Sequence, residues 1–273
     1  MTYTTIDISE FLAITLPFNH LSLASRQQLA AKLQPLRYRM GQAISVGETM
    51  PAEIAILYEG QARLLGYPPQ SPVPITLQLL KPGAIIGSTS LLRGMACETV
   101  IASTEATCLT LPTTNFLALL ELEPTFADAF HQRCTLIEVF DLLGAEISRR
   151  ALGEVDLKEV ALKAKSEAVV LNLPPGRTAL DSLDPNLVWI FSGGSSTNFA
   201  IGSRLITDNS QTYIKVEGPE SARFIGFREP VTPQSVTSDS NPATTTATDI
   251  PYAPDRPSEL KSKTVLGCLL SRL

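Results

Sequence analysis

Residues 80–112, LKPGAIIGSTSLLRGMACETVIASTEATCLTLP, decide the fold. Pro82-Gly83 is a turn signal, Gly87 opens a short helix, and ETVIAS (98–103) with ATCLTL (106–111) reads as a hairpin that Pro112 ends. Toward the N-terminus, EIAILY (53–58), ARLLGY (62–67) and ITLQLL (75–80) are apolar runs of strand length. Met40-Gly41, Gly47-Glu48, Glu59-Gly60 and Tyr67-Pro68-Pro69 punctuate this stretch. Short strands at this spacing predict a β-roll or barrel.

Helices flank the roll. Residues 8–35 read as helical, with Leu21 and Ser22 as N′ residue and N-cap ahead of LASRQQLAAKL and Pro35 as the stop. After the roll, TTNFLALLEL (113–122) is a helix capped by Thr113 or Thr114. Beyond Pro124 one longer helix is expected to run to about residue 150, with an apolar stripe at Leu136, Ile137, Phe140, Leu143 and Ile147. That stripe is either a homodimer seam or a face packed on the chain's own roll.

A second β-rich stretch holds EAVVLNL (167–173), NLVWIF (186–191), TYIKV (212–216) and ARFIGF (222–227), with Trp189, Ile190 and Phe191 expected to seal its junction with the roll. The expected organisation is a roll with flanking helices over 8–150 and a small satellite β-module over 155–229. A disordered Pro/Ser/Thr linker over 230–258 and the start of a helix or further domain over 259–273 follow.

Composition narrows the function. Lys and Arg number 22 against 27 Asp and Glu, a net charge of −5, whereas nucleic-acid binding needs clustered cations. The stretch after residue 150 is β-rich and poor in Lys/Arg, not a helix-turn-helix. Charged residues make up 18%, below the roughly 25% of an average soluble chain, which points to surface covered by a partner. The N-terminus lacks a basic, apolar leader and no run nears the ~18 apolar residues of a membrane span, so no direct span is expected. Cys97, Cys108, Cys134 and Cys268 show no paired spacing, which favours reduced thiols in the cytoplasm. His20 and His131 are the only histidines, too few for a clustered metal site, and there is no GxxxxGK[ST] loop. No enzyme activity, metal or cofactor is expected.

Phe18-Asn19-His20-Leu21-Ser22 at a helix start, Arg37-Tyr38 on a strand and Leu57-Tyr58 running into a Gly turn precede the 80–112 cassette in an order that resembles the cyclic-nucleotide-binding domain. The resemblance implies a mainly β fold with flanking helices, a β-roll of jelly-roll type, here with a small second β-module. In that family, backbone N–H groups and a short helix receive the cyclic phosphate, an Arg pairs with it, and a Glu after the cassette Gly accepts from the ribose. This sequence has Ser88 after Gly87, and the Arg position falls on Cys97 or Glu98. The candidate ligand-binding residues are therefore Gly87, Ser88, Arg93, Cys97, Glu98 and Thr99, with Arg93 either facing solvent or reaching in as a substitute anchor.

CETVIAST (97–104), LDPNLVWIFSGG (183–194) and IGSRL (201–205), followed by the Pro/Ser/Thr stretch, resemble the N-terminal region of bacterial peptidase-containing ABC exporters. That resemblance implies a non-enzymatic regulatory or interaction module, partnered by other transporter domains or another protein and membrane-associated through them. The alternative is a sensor that binds a cyclic nucleotide or another small ligand in the roll.

Overall fold

The computed structural model describes residues 4–69, 71–150, 155–180, 183–194, 199–205, 213–218 and 221–228. The linker and further-domain start expected over 230–258 and 259–273, with Cys268, lie outside them.

The first eight strands are β1 (Gln34–Tyr38), β2 (Ala43–Ser45), β3 (Glu53–Glu59), β4 (Ala62–Gly66), β5 (Ile75–Leu80), β6 (Ile85–Ile86), β7 (Thr99–Ala102) and β8 (Ala106–Pro112). They make two four-stranded antiparallel sheets, ordered β1-β8-β3-β6 and β2-β7-β4-β5, so β7 and β8 belong to different sheets and do not pair as the hairpin expected of 98–103 and 106–111. The roll is therefore mainly β, with helices at its flanks. The apolar runs that marked β3 and β8 are continuous because that sheet is covered on both faces. Ala55, Leu57, Ala106 and Cys108 point into the roll, whereas Ile54, Ile56, Leu109 and Leu111 meet the outer helices.

Those outer helices are α1 (Thr5–Ile14), α2 (Leu23–Lys32), α4 (Thr113–Leu122) and α5 (Pro124–His131). The N-terminal segment is not one helix. A 3-10 turn at Phe18–His20 separates α1 from α2, and Ser22 caps α2 by accepting from the Ser25 N–H at 3.0 Å. Pro35 lies within β1 rather than at the helix end. Neither Thr113 nor Thr114 caps α4; the Thr113 hydroxyl donates to the Pro51 carbonyl at 2.8 Å instead.

The single long helix expected beyond Pro124 is two, α5 and α6 (Leu136–Arg149). Thr135 and Glu138 form a capping box that starts α6, its side chain and backbone bonds closing reciprocally. The stripe on α6 packs inside the chain: Leu136, Ile137, Phe140 and Leu143 are buried in the roll's core, and Ile147 packs against it.

The second β-rich region begins with α7 (Leu157–Glu167), whose Leu157 and Ala161 also join the roll's core. Strands β9 (Val169–Leu173), β10 (Gly176–Ala179), β11 (Leu187–Gly194), β12 (Tyr213–Val216) and β13 (Ala222–Arg228) follow. They pair as β11-β13-β9 and β10-β12. Alternation gives the three-stranded sheet two jobs. Trp189, Phe191, Ala222 and Phe224 build a small local core with Ile214 and Val216 of β12, whereas Ile190, Ile225 and Phe227 join the core of the roll. Of the three residues expected to seal the junction, Ile190 does so; Trp189 and Phe191 face the local core.

Candidate functional site: the cassette and its cavity

The cassette helix α3 (Ser88–Arg93) is short because glycine bounds it at both ends, Gly87 at φ 94° and Gly94 at φ 67°, a backbone region that L side chains rarely adopt. Glu98, just ahead of β7, folds back on it. Its carboxylate Oε2 accepts from the Thr89 N–H at 3.0 Å and the Ser90 N–H at 3.3 Å. Glu98, not Cys97, therefore faces the helix start. Cys97 is half-buried beside Ser90, its backbone N–H donating to the Ser90 hydroxyl at 3.1 Å and its thiol 3.5 Å from the same oxygen.

Glu98 is 5% exposed. Burial pushes its carboxyl up to about 7, and the N–H groups of Ser90 and Thr89 only partly counter that rise. The Cys97 thiol is likewise pushed up to about 11 by burial, with the Arg93 charge opposing.

Arg93 neither faces solvent nor lines the cavity beside the cassette. It is 2% exposed, its Nε donating to the Ser192 carbonyl at 3.2 Å and its Nη1 to Asp141 Oδ2 at 2.9 Å. The cassette is thereby tied to β11 and α6. Burial raises the Asp141 carboxyl despite the guanidinium beside it. Gly193 completes this junction, because a Cβ there would lie 2.1 Å from the Arg93 carbonyl oxygen.

A second buried pair sits on the other side of Ser192. Arg223 on β13 grips Glu138 with two bonds, Nε to Oε1 at 2.7 Å and Nη2 to Oε2 at 3.1 Å, and the Ser192 hydroxyl donates to the same carboxylate at 2.6 Å. Arg223 also donates to the His131 and Arg133 carbonyls, which holds the turn between α5 and α6. Burial works to raise the Glu138 carboxyl, but Arg223, Ser192 and Arg93 together leave it lowered.

Between the cassette and this turn lies a cavity of about 290 Å³. Ser88, Thr89 and Glu98 contribute to its wall, with Leu64 and Leu80 from the roll, Phe130 and Ile137 from α5 and α6, and Arg133, Lys165 and Arg223 around it. Gly87 instead borders a neighbouring groove with Tyr38, Met50 and Pro51. Thr99 is turned to the loop after β2, where its hydroxyl accepts from the Gly47 N–H at 3.0 Å. Of the residues singled out from sequence, Ser88 and Glu98 thus meet at the cavity, whereas Gly87, Arg93, Cys97 and Thr99 serve the cassette's frame.

The sequence reading missed Thr89, Glu138, Asp141, Ser192 and Arg223. Only Thr135-Leu136-Ile137-Glu138 carried a readable local signal, the capping-box spacing. Among the described residues no cluster of His, Cys, Asp and Glu could hold a metal ion, and no helix is long and apolar enough to cross a membrane.

Comparison with known proteins finds similarity over part of the chain. No curated protein matches in sequence. Among solved structures, similarity is found to the regulatory subunit of a cAMP-independent protein kinase A from Trypanosoma cruzi bound to guanosine, at 21% identity and a TM-score of 0.36. That alignment covers 45% of this chain and 49% of the other, so the chain spans about half of that relative's length. A cyclic nucleotide-binding-like protein from Brucella abortus is 20% identical, with 42% of this chain and 98% of that one covered and a TM-score of 0.36. A cyclic nucleotide-binding domain from Methylobacillus flagellatus is 19% identical over 55% of this chain and 86% of that one, at a TM-score of 0.39. Residues 35–123, from β1 through the cassette to the end of α4, match the family model of the cyclic nucleotide-binding domain.

Proposed function

We propose that this chain is a non-enzymatic regulatory and interaction module built on a cyclic nucleotide-binding roll whose cassette refuses cyclic nucleotides. One observation carries the reading: the Glu98 carboxylate accepts from the Thr89 and Ser90 N–H groups at the start of the cassette helix. In the family those N–H groups receive a phosphate. Here a phosphate would have to displace that carboxyl group or sit beside it, and once Glu98 is ionised, above about pH 7, two like charges at about 4 Å repel by about 1–4 kcal/mol over effective dielectrics of 80 to 20. The partner in this proposal is another domain of a peptide- or protein-exporting ABC transporter, a context supported by the resemblance of residues 97–104 and 183–205 alone.

Titration with cAMP and cGMP tests the refusal. A ligand at 100 times its dissociation constant stabilises the fold by about 2.7 kcal/mol, so millimolar nucleotide is expected to leave the thermal transition unmoved, and a saturable upward shift overturns the reading. The transporter context is tested by the coding frame beyond residue 273. A peptidase and ATP-binding region in frame supports it; a stop codon overturns it.

A further inference from the structure

We propose that the cavity beside the cassette takes a small zwitterion with an apolar body, an amine-bearing carboxylic acid. This deepens the reading above and rests on it, since a cavity that refuses phosphate is free for a ligand of opposite polarity.

Three observations on different elements lead to that chemistry. Glu98 is 5% exposed and lines the cavity, yet it forms no ion pair among the described residues. A buried carboxylate without a counter-charge is costly, and an ammonium group is the partner that relieves it. The Arg223–Glu138 pair in the same wall neutralises itself and offers a ligand no net charge.

At the solvent side the sign reverses. Arg133 and Lys165 also border the cavity, both are exposed, and neither forms an ion pair among the described residues. They complement a carboxylate. Much of the remaining wall is apolar, with Leu64, Leu80, Leu92 and Phe130. About 290 Å³ accommodates a short chain bearing an amine at the buried end and a carboxylate at the exposed one. A cyclic nucleotide would bring its anion to the buried end, where Glu98 already is.

The test titrates the full chain by calorimetry with γ-aminobutyrate and ε-aminocaproate as two-ended probes, hexylamine and caproate as one-ended controls, and cAMP. At least one zwitterion is expected to bind saturably and at least about tenfold more tightly than either control, a factor that corresponds to about 1.4 kcal/mol. Glu98→Gln, which keeps the acceptor oxygen, is expected to remove that advantage, and the exposed changes Arg133→Ala and Lys165→Ala to weaken binding severalfold without altering the fold. Caproate binding as well as ε-aminocaproate, or zwitterion binding indifferent to Glu98→Gln or to both surface changes, overturns the inference. Silence of all five titrants overturns it while leaving the refusal of nucleotides intact. Saturable binding of cAMP overturns both.

Discussion

Arg93 on the cassette helix donates to the carbonyl of Ser192, a residue 99 positions further along the chain, and neither side chain is accessible to solvent. The bond fastens the roll to β11. Gly193 follows immediately and leaves no room for a Cβ against the Arg93 carbonyl, so backbone and side chain meet β11 at one point. The cassette is therefore joined to the second β-rich region through a contact with two discrete parts.

Loss of either part is expected to destabilise. Arg93→Ala removes the buried guanidinium from Asp141 and takes its bond from the Ser192 carbonyl, which should cost about 3–5 kcal/mol in urea denaturation. Because Asp141 is 33% exposed and regains water, the lower end of that range is expected. Gly193→Ala forces the chains apart and should cost about 1–3 kcal/mol. The two changes act on one contact, so the double variant is expected to lose less than the sum. Strict additivity counts against the coupling.

The Arg223–Glu138 pair predicts a different pattern. Both side chains are at most 4% exposed, so Arg223→Met strands a buried carboxylate and should cost about 3–5 kcal/mol, whereas adding Glu138→Leu should restore much of the loss. The Glu138 carboxyl is held below its ordinary value in the folded chain, so this pair stabilises above the usual carboxylate range and the contribution disappears as pH falls through the lowered value. In acid the wild type should accordingly lose stability, by urea midpoint, relative to the double variant, which has no carboxylate there to protonate. A wild-type advantage that grows as pH falls contradicts the assignment.

The stripe on α6 belongs to the core. Phe140 is 1% exposed within the roll's main cluster, and Phe140→Ala should cost about 3–5 kcal/mol of stability. Trp189 provides the readout as the chain's one tryptophan, 7% exposed with its indole N–H donating to the Asp184 carbonyl at 3.3 Å. Its emission should resist acrylamide in the folded chain and become quenchable on unfolding. Strong quenching before the transition contradicts the packing.

How much of this could be read from the sequence depends on how local each determinant is. Residues 53–58 point to a strand because a strand buried on both faces carries an unbroken apolar run, here Ile54 to Leu57. The break between α5 and α6 was hidden because His131-Gln132-Arg133-Cys134 contains neither Gly nor Pro, and the capping box at Thr135 does the work instead. α7 escaped notice because its apolar positions alternate with lysines and glutamates, and what it packs on lies in the roll. The cassette was legible as a frame, but a one-residue choice of register decided between Cys97 and Glu98, and only the folded chain sets it. Arg93 was unreadable for a plainer reason: its partners stand 48 and 99 residues away.

Glu98 gives the last prediction, and its sign is opposite to that of Glu138. An unfolded glutamate releases its proton near the ordinary value of 4.5, whereas in the folded chain burial pushes the same group up to about 7. Between those values the folded state holds a proton that the unfolded state has lost, so unfolding releases a proton and rising pH favours it. Each pH unit across the window costs about 1.4 kcal/mol, roughly 3 kcal/mol in all. The pKa of His131 also shifts on folding, lowered by burial and by the Arg223 charge. Glu98→Gln isolates the effect, because the amide keeps an acceptor for the Thr89 and Ser90 N–H groups and never ionises. The stability of the variant relative to wild type, from urea midpoints at one temperature, should be flat below about pH 4.5, rise in the variant's favour up to about pH 7, and then level. A difference that stays constant across the whole range means that Glu98 titrates as it does in water, and the carboxylate is then not held in the buried position described.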